Sequence, residues 1–287
     1  METPRSFMSE NDSTGTPDAE VPKATMSLSS RMYLRFTSEV DPGWADLILL
    51  GCFFVAGIVD SVVYNKYTCF VSMQTGNTIF LGLGVSDLPT NSPKHNWVKS
   101  LVAISSFSLG AFFFARYHRY LGGLKRWVIM SSFAIQTGLM LITSALISSG
   151  IATKGPQHSN NPASTDNGGG YFDWVELCPI ALLAFQSAGQ IVASRVLKYN
   201  SMPTLVLTSL YCDLFSDPNL LTAGLFEDPD RNRRAASAIA LFVGALIGGV
   251  LSKSSWGYSV ALWIATGLKA CMVIAWLLWK RKPQDQK

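Results

Sequence analysis

The chain has 287 residues, of which 48% are hydrophobic and only 15% are charged, with a formal net charge of +4 at pH 7. A soluble domain carries about 25% charged residues, and here the charges collect in short clusters between long apolar runs. That pattern is typical of a polytopic membrane protein. The basic residues flank the apolar segments, so they indicate membrane topology and not a nucleic-acid partner.

Residues 1–43 are rich in Ser, Thr, Pro and acidic residues and lack the early apolar core of a signal peptide. Such a segment buries too little apolar surface to offset its ordering entropy, so the sequence predicts a disordered cytosolic tail. Residues 281–287 form a second, shorter cytosolic tail. Between the two tails, residues 44–280 are predicted to be one polytopic membrane domain.

Six segments are long and apolar enough to cross a bilayer, which needs about 20 residues per helical crossing. Tryptophan falls at one or both ends of most of them, where the indole ring prefers the headgroup level. The predicted crossings are residues 44–64, 97–115, 127–149, 174–197, 235–251 and 256–279.

Two shorter apolar segments, around residues 69–85 and 201–215, are interrupted by polar residues. Either all eight segments cross in two parallel four-helix halves, or these two are short re-entrant or broken helices beside six transmembrane helices. The six-crossing arrangement leaves fewer lysines and arginines on the side opposite the two tails, so the positive-inside rule favours it. The predicted fold is therefore an all-α integral membrane protein with six transmembrane helices and both termini in the cytosol.

The two halves of the membrane domain, about 44–150 and 172–280, are similar in sequence and are joined by the polar loop 151–171. Small residues recur in the same order in both halves, which predicts an internal repeat. With three crossings in each half, the second half would insert upside down. The equivalent pairs are 132 to 134 positions apart: Ala56-Gly57 with Ala188-Gly189, Thr75-Gly76 with Thr208-Ser209, and Gly110-Ala111 with Gly244-Ala245.

The centre of the segment 69–84 carries Gln74, Thr75, Gly76, Asn77 and Thr78. Non-helical backbone at membrane depth must be buried in protein or line a water-filled cavity. These residues can form the tip of a broken helix, with Gly76 permitting the break and the tip facing the repeat partner at Thr208 and Ser209. Alternatively, the same side chains hold neighbouring helices together without forming a site.

Asp60 and Lys269 are charged residues inside predicted crossings, where an ionised side chain should face the bundle interior or a cavity. Asp46, Glu176 and Arg195 lie nearer the predicted ends and are more often interface residues. Asp60 can be a proton or cation site, the partner of a cation, or a solvated interface residue. Lys269 can be neutral, paired with Asp60 or another acid, bound to an anionic solute, bridged by water, or facing lipid. The candidate solute or ion path comprises Asp60, Gln74, Thr75, Gly76, Asn77, Thr208, Ser209 and Lys269.

The stretch "AGIVDSVVY" followed by "FVSMQTGNTIFLGLG" resembles the YoaK-like membrane proteins, the family of domain of unknown function 1275. Gly57 and Asp60 match the family's first motif, in which Ser61 replaces a small alanine. The second motif is matched by Phe70, Thr75, Gly76, Asn77, Leu81 and Gly82. The resemblance covers about residues 44–280 and implies a multi-pass membrane protein, without implying a substrate or a reaction. The long 152–171 loop and the N-terminal tail resemble those of a fungal-type member.

We expect no enzymatic activity, because the three histidines, His95, His118 and His158, are predicted to lie far apart in loops. The spacing of the five cysteines indicates neither a metal site nor a disulfide framework, and no cofactor is expected. The favoured hypothesis is a transporter or permease for an unknown small solute, in the plasma membrane or an internal membrane. The alternative is a non-transporting sensor, scaffold or assembly factor. The expected partners are the lipid bilayer and the solute, while the oligomeric state stays open.

Overall fold

The computed structural model describes residues 27–88, 95–151, 174–199, 201–202, 204, 206–222, 224, 227–254 and 257–279. The C-terminal tail, the polar loop from residue 152 onward and the first 26 residues of the N-terminal tail lie outside the described residues. Over the described ranges the chain is all-α, with one isolated β-bridge between Glu39 and Lys125 and no strand. The predicted fold class is confirmed.

Nine α-helices follow one another along the described part of the chain, and short 3-10 turns precede the second and the sixth. They are α1 (Leu28–Thr37), α2 (Ala45–Tyr67), α3 (Gln74–Val85), α4 (Trp97–Leu121), α5 (Arg126–Ser148), α6 (Leu177–Val196), α7 (Leu207–Phe215), α8 (Pro229–Leu251) and α9 (Gly257–Leu278).

Six of these helices, α2, α4, α5, α6, α8 and α9, are long and apolar enough to cross a membrane. Helices α3 and α7 have 12 and 9 residues. At 1.5 Å per residue they reach only about 18 Å and about 14 Å, short of the ~30 Å hydrocarbon core. The six predicted crossings are therefore confirmed, with bounds that differ by a few residues.

The structure differs from the predicted disordered tail over residues 28–43. Helix α1 precedes a short extended segment in which Val40 is fully buried. The N–H of Val40 donates to the carbonyl of Leu124 at 2.9 Å, and the N–H of Arg126 donates to the carbonyl of Ser38 at 3.0 Å. These bonds fasten the segment to the loop between α4 and α5, which a reading of composition alone does not foresee.

The first and last crossings meet at one end of the bundle, here called the tail end. The indole N–H of Trp279 donates to the carbonyl of Asp41 at 2.7 Å, so the start of α2 lies beside the end of α9. The Tyr199 hydroxyl, which follows α6, donates to the carbonyl of Pro42 at 2.5 Å. The opposite end, where α2 finishes and α4 begins, is called the far end.

Each of the two short helices enters and leaves the bundle at a single end, α3 at the far end and α7 at the tail end. At the far end, the Asn96 amide donates to the hydroxyl of Thr68 at 3.0 Å, so the segment that contains α3 starts and finishes there. At the tail end, the Ser201 hydroxyl donates to the carboxylate of Asp230 at 3.0 Å, on either side of α7. This geometry matches the six-crossing arrangement with two re-entrant helices and not the eight-crossing alternative.

The long helices pack through glycines. A Cβ at Gly244 of α8 would overlap the carbonyl oxygen of Phe54 in α2, and one at Gly57 would overlap the backbone of α8. In the same way, a Cβ at Gly110 of α4 would overlap the carbonyl of Phe185 in α6. Bare backbone at these points lets α2 lie directly on α8 and α4 directly on α6, as small residues do in membrane bundles.

The outward faces of α4, α8 and α9 carry large apolar side chains that are exposed. A soluble monomer rarely shows apolar patches of this extent, whereas lipid tails cover them in a bilayer. They include Leu109, Phe112, Ile239, Phe242, Leu246, Val250 and Ile264.

The substitution Gly244→Ala is expected to destabilise the protein, because the added methyl group meets backbone rather than a movable side chain. Overpacking of this kind costs about 2 kcal/mol or more of the free energy of unfolding. Gly249→Ala, in the same helix, is the control, since a Cβ there meets nothing within 4 Å. Thermal unfolding in detergent checks this, and equal Tm values for the two variants would contradict the packing described here.

Candidate functional site

The candidate site is built on a break in the chain between α2 and α3. Helix α2 ends at Tyr67, where Thr68 takes the left-handed conformation with φ of 55°. Residues 68–73 are not helical, and they fold back along α2 so that residues 71 and 72 reach Asp60. Since Asp60 lies seven positions before the end of α2, the break is about 10 Å below the far end of that helix.

Asp60 is 3% exposed and binds the break through both carboxylate oxygens. Its Oδ1 accepts the backbone N–H groups of Val71 at 3.0 Å and Ser72 at 3.1 Å. Its Oδ2 accepts the hydroxyl of Ser72. A buried carboxylate needs several such donors to offset its lost hydration, and these three account for it. Asp60 therefore braces the broken backbone and is not the ion partner of Lys269.

Asn77 completes the next part of the break and is fully buried. Its Oδ1 accepts the backbone N–H of Phe70 at 3.0 Å and lies 3.5 Å from the thiol of Cys69. Its Nδ2 donates to the carbonyl of Phe70 at 2.7 Å and to Oε1 of Gln74 at 2.9 Å. The side-chain amide of Asn77 thus pairs with the backbone of Phe70 as a neighbouring peptide group would.

The carbonyl of Val71 is satisfied from two sides. Nε2 of Gln74 donates to it at 3.0 Å, and so does the hydroxyl of Ser187, also at 3.0 Å. Ser187 belongs to α6, so the break in the first half of the chain is fastened to a helix of the second half. Among the sequence-predicted residues, the structure brings Asp60, Gln74 and Asn77 together in this one network.

Gly76 does not form the break, contrary to the sequence expectation. Helix α3 already begins at Gln74, so Gly76 lies in its first turn. A Cβ at Gly76 would lie 3.1 Å from the ring of Phe70, which stacks on Tyr64 with centroids 4.6 Å apart. The glycine therefore makes room for that ring, while the side chain of Thr75 is exposed.

Thr208 and Ser209 do not face this network, in contrast to the predicted arrangement. Both side chains are exposed on α7, and the hydroxyl of Ser209 donates to the carbonyl of Val206 at 3.2 Å. Helix α7 packs mainly on α8, while α3 packs mainly on α4. The amphipathic pattern of α7 explains the difference, because its apolar residues Leu210 and Leu214 occupy the buried side.

Lys269 lies near the middle of α9 and is 0% exposed. Its ammonium group is 5.4 Å from the ring centroid of Phe133 in α5, a cation–π distance. One turn further along α9, the sulfur of Met272 is 3.8 Å from the thiol of Cys52 in α2. Within the described residues Nζ has no hydrogen-bond partner. The lysine therefore faces the bundle interior and not lipid.

Three glutamines in the interior were missed by the sequence analysis, which singled out charges. Gln136 of α5 and Gln186 and Gln190 of α6 are buried, and each has an Oε1 atom without a hydrogen-bond partner among the described residues. The Gln136 side chain lies against the bare backbone of Gly189, where a Cβ would be 2.7 Å from its Nε2. A side-chain amide in the middle of an apolar crossing was the signal that could have found them.

A polar row leads from Gln136 towards the tail end. The hydroxyl of Ser132 is 3.4 Å from Nε2 of Gln136 and 3.1 Å from Nε2 of His118. His118 is buried in the last turn of α4, not in a loop as the sequence analysis expected. The row gives the interior glutamine a polar connection to one end of the bundle.

A cavity of about 580 Å³ lies at the tail end, where α6, α7 and α8 meet the start of α2. Arg233 crosses its wall, pairing with the carboxylate of Asp46 at 2.9 Å and lying 5.1 Å from the ring centroid of Tyr199. The lining residues are Pro42, Gly43, Leu197, Lys198, Tyr199, Ser201, Asp213, Asp230, Arg233 and Arg234.

Six long apolar helices, two re-entrant helices and a polar interior define a multi-pass α-helical membrane protein. The family described as "Protein of unknown function (DUF1275)" matches residues 48–275, and the chain belongs to this DUF1275 family. The family resemblance drawn from residues 56–84 is thereby confirmed. No curated protein and no solved structure matches the chain.

The substitution Asn77→Ala is expected to lower the free energy of unfolding by about 2 kcal/mol, because it leaves the N–H of Phe70 unpaired and its carbonyl with only the weak thiol donor of Cys69. Thr75→Ala, two residues away and exposed, is the control and should change it by less than about 0.5 kcal/mol. Denaturation in detergent micelles measures both. If the two variants lose equal stability, Asn77 does not hold the break.

Proposed function

We propose that the protein is a transporter or permease for a small solute. The observation that carries this proposal is the polar interior, where Lys269 Nζ and the Oε1 atoms of Gln136, Gln186 and Gln190 have no hydrogen-bond partner among the described residues. An unpaired buried polar group costs roughly 1–3 kcal/mol. Polar groups inside a membrane bundle commonly mark a solute or ion pathway, and a bound polar solute would complete these.

We infer further that the two halves are inverted repeats. At the far end, Lys99 at the start of α4 pairs with Glu176 before α6 at 2.6 Å. At the tail end, Arg233 near the start of α8 pairs with Asp46 near the start of α2 at 2.9 Å. The two pairs occupy corresponding places in the halves and lie at opposite ends of the bundle.

Other contacts follow the same correspondence. The hydrogen bond that Asn96 donates to Thr68 at the far end has its counterpart in the hydrogen bond between Ser201 and Asp230 at the tail end. The contact of Gly110 with α6 likewise corresponds to that of Gly244 with α2. All these equivalent residues are 130 to 134 positions apart. Repeats of this kind support alternating access in many transporters, because one half can rock against the other.

The tail-end cavity is proposed as the entrance on the side of the two termini. Its polar and charged lining suits a hydrated solute, and the row His118–Ser132–Gln136 leads inwards at the same end. The ion pairs at the two ends would open in turn as the halves move. This is transport without a chemical step on the solute, so we propose no enzymatic role.

A non-transporting sensor or scaffold is the second candidate. It is favoured by the complete pairing of Asp60 and Asn77 with protein groups, which is what side chains with a purely structural role would show. The unpaired interior lysine and glutamines favour transport over this candidate.

Uptake into proteoliposomes tests the proposal against a panel of anionic, neutral and cationic solutes. At least one solute should enter faster than in protein-free liposomes. Gln136→Leu, which keeps the volume of the side chain, should slow that uptake by about 10-fold or more, since a lost buried hydrogen bond is worth about 1–3 kcal/mol. Thr75→Ala is the control. A panel in which no solute enters, or in which Gln136→Leu leaves uptake unchanged, would favour the scaffold.

We also propose that the tail end faces the cytosol, because most basic residues lie there. In a cysteine-free background, Tyr120→Cys should react with a membrane-impermeant maleimide only after permeabilisation, since Tyr120 is 75% exposed near the tail-end terminus of α4. Lys253→Cys, exposed beyond the end of α8, should react in intact cells or sealed vesicles of the same orientation. The reverse pattern of labelling would invert the orientation, and labelling of both from one side would contradict the fold.

A further inference from the structure

One buried lysine in the middle of α9 has no anionic partner among the described residues. Lys269 is fully buried on α9, and within the described residues it forms neither an ion pair nor a hydrogen bond. Ion pairs near the helix ends join Lys99 to Glu176, Arg233 to Asp46 and Asp230, and Arg234 to Asp217. A buried ammonium group without an anion is costly, so Lys269 is either neutral or paired with an anion that the described residues do not supply.

Asp60, the acid within a crossing that the sequence suggested as this partner, is already engaged. Both of its oxygens accept hydrogen bonds from residues 71 and 72. It also lies eight residues beyond Cys52 on α2, and Cys52 is the position that packs one turn from Lys269 on α9. Eight residues of helix correspond to about 12 Å, and because α9 runs antiparallel to α2, Lys269 lies about 5 Å from Met272 towards Asp60, which leaves about 7 Å along the bundle. No ion pair joins Asp60 to Lys269 among the described residues.

The ring that Lys269 contacts, Phe133, is one turn of α5 away from the buried amide of Gln136. Phe133 lies under the ammonium group at 5.4 Å, and Gln136 is one turn further along the same buried face of α5. Nε2 of Gln136 makes only a long 3.4 Å contact with Ser132, so it retains N–H capacity for a ligand. Met272 and Trp276 of α9 are buried on the same face as Lys269. A group bound here would meet two kinds of donor and would be shielded from water.

We propose that Lys269 and Gln136 form the binding site for a small monovalent anion, either a short carboxylate or an inorganic monoanion, and that this anion is the solute carried. The inference rests on the proposed transport function and names its substrate class. One interior lysine balances one negative charge, so a divalent anion would leave a charge uncompensated in an apolar site. Phe133, Met272 and Trp276 are buried, and bulky apolar side chains of this kind favour a small solute.

Thermal unfolding of the full chain in detergent at pH 7 tests the binding site. The probes are the sodium salts of chloride, nitrate, formate, acetate and lactate. Sodium sulfate is the divalent comparison. Glycerol is the neutral comparison, and the choline cation, added with sulfate as its counterion, is the cationic one. At a concentration about 100-fold above its Kd, a bound anion should raise Tm by roughly 5 °C. Lys269→Met should abolish that shift, whereas Lys253→Met, which removes an exposed lysine, should keep it.

The outcomes separate the anion site from transport. A shift with a monovalent anion that Lys269→Met abolishes supports the site, and uptake of the same anion into proteoliposomes supports transport by it. The same shift without uptake supports the site and overturns the transporter. Uptake of a neutral or cationic solute, with no shift from any monovalent anion, overturns the anion site and leaves transport standing. If Lys269→Met does not fold, Gln136→Leu serves instead and should weaken the anion-induced shift, while an undiminished shift would overturn the site.

Discussion

Backbone that leaves a helix inside a bilayer must find its hydrogen bonds within the protein, because lipid offers none. Residues 68–73 meet this constraint through side chains from three helices. Asp60 of α2, Asn77 of α3 and Ser187 of α6 together bind the backbone of residues 70 to 72. The position of α3 follows from this network. The chain can turn back at membrane depth only where such side chains satisfy its backbone groups. Helix α3 then returns to the end of the bundle at which the segment entered.

The two halves of the inferred repeat differ in their polar residues. By the spacing of the inferred repeat, Val192 stands where Asp60 would be and Leu210 where Asn77 would be. The second re-entrant helix therefore lacks the polar brace, while the second half contributes two glutamines and a lysine to the interior. The break at residues 68–73 therefore has a structural role. The region around Lys269 has unpaired polar groups, which is why transport and anion binding are proposed at that region.

Much of the architecture could be predicted from the sequence, because length and apolarity alone specify a crossing helix. The contact of Gly244 with Phe54 could not be predicted from the sequence, because the spacing of small residues indicates a contact face of a helix but not which helix packs against it. The polar side chains of 74–77 signalled an irregular backbone, yet the break lies before Gly76 and is held by Asp60 from another helix. Such contacts depend on tertiary packing, which spacing along one chain does not determine. The exposed side of α7 at Thr208 was misjudged for the same reason.

Amide hydrogen exchange of Phe70, Val71 and Ser72 in lipid nanodiscs tests the central claim most directly. Each of these N–H groups donates to a side-chain acceptor, Asn77 for the first and Asp60 for the other two. If the break is held at membrane depth as described, all three amides exchange at least about 100-fold more slowly than unstructured peptide, although they are not helical. Exchange of all three near the unstructured rate would contradict the account.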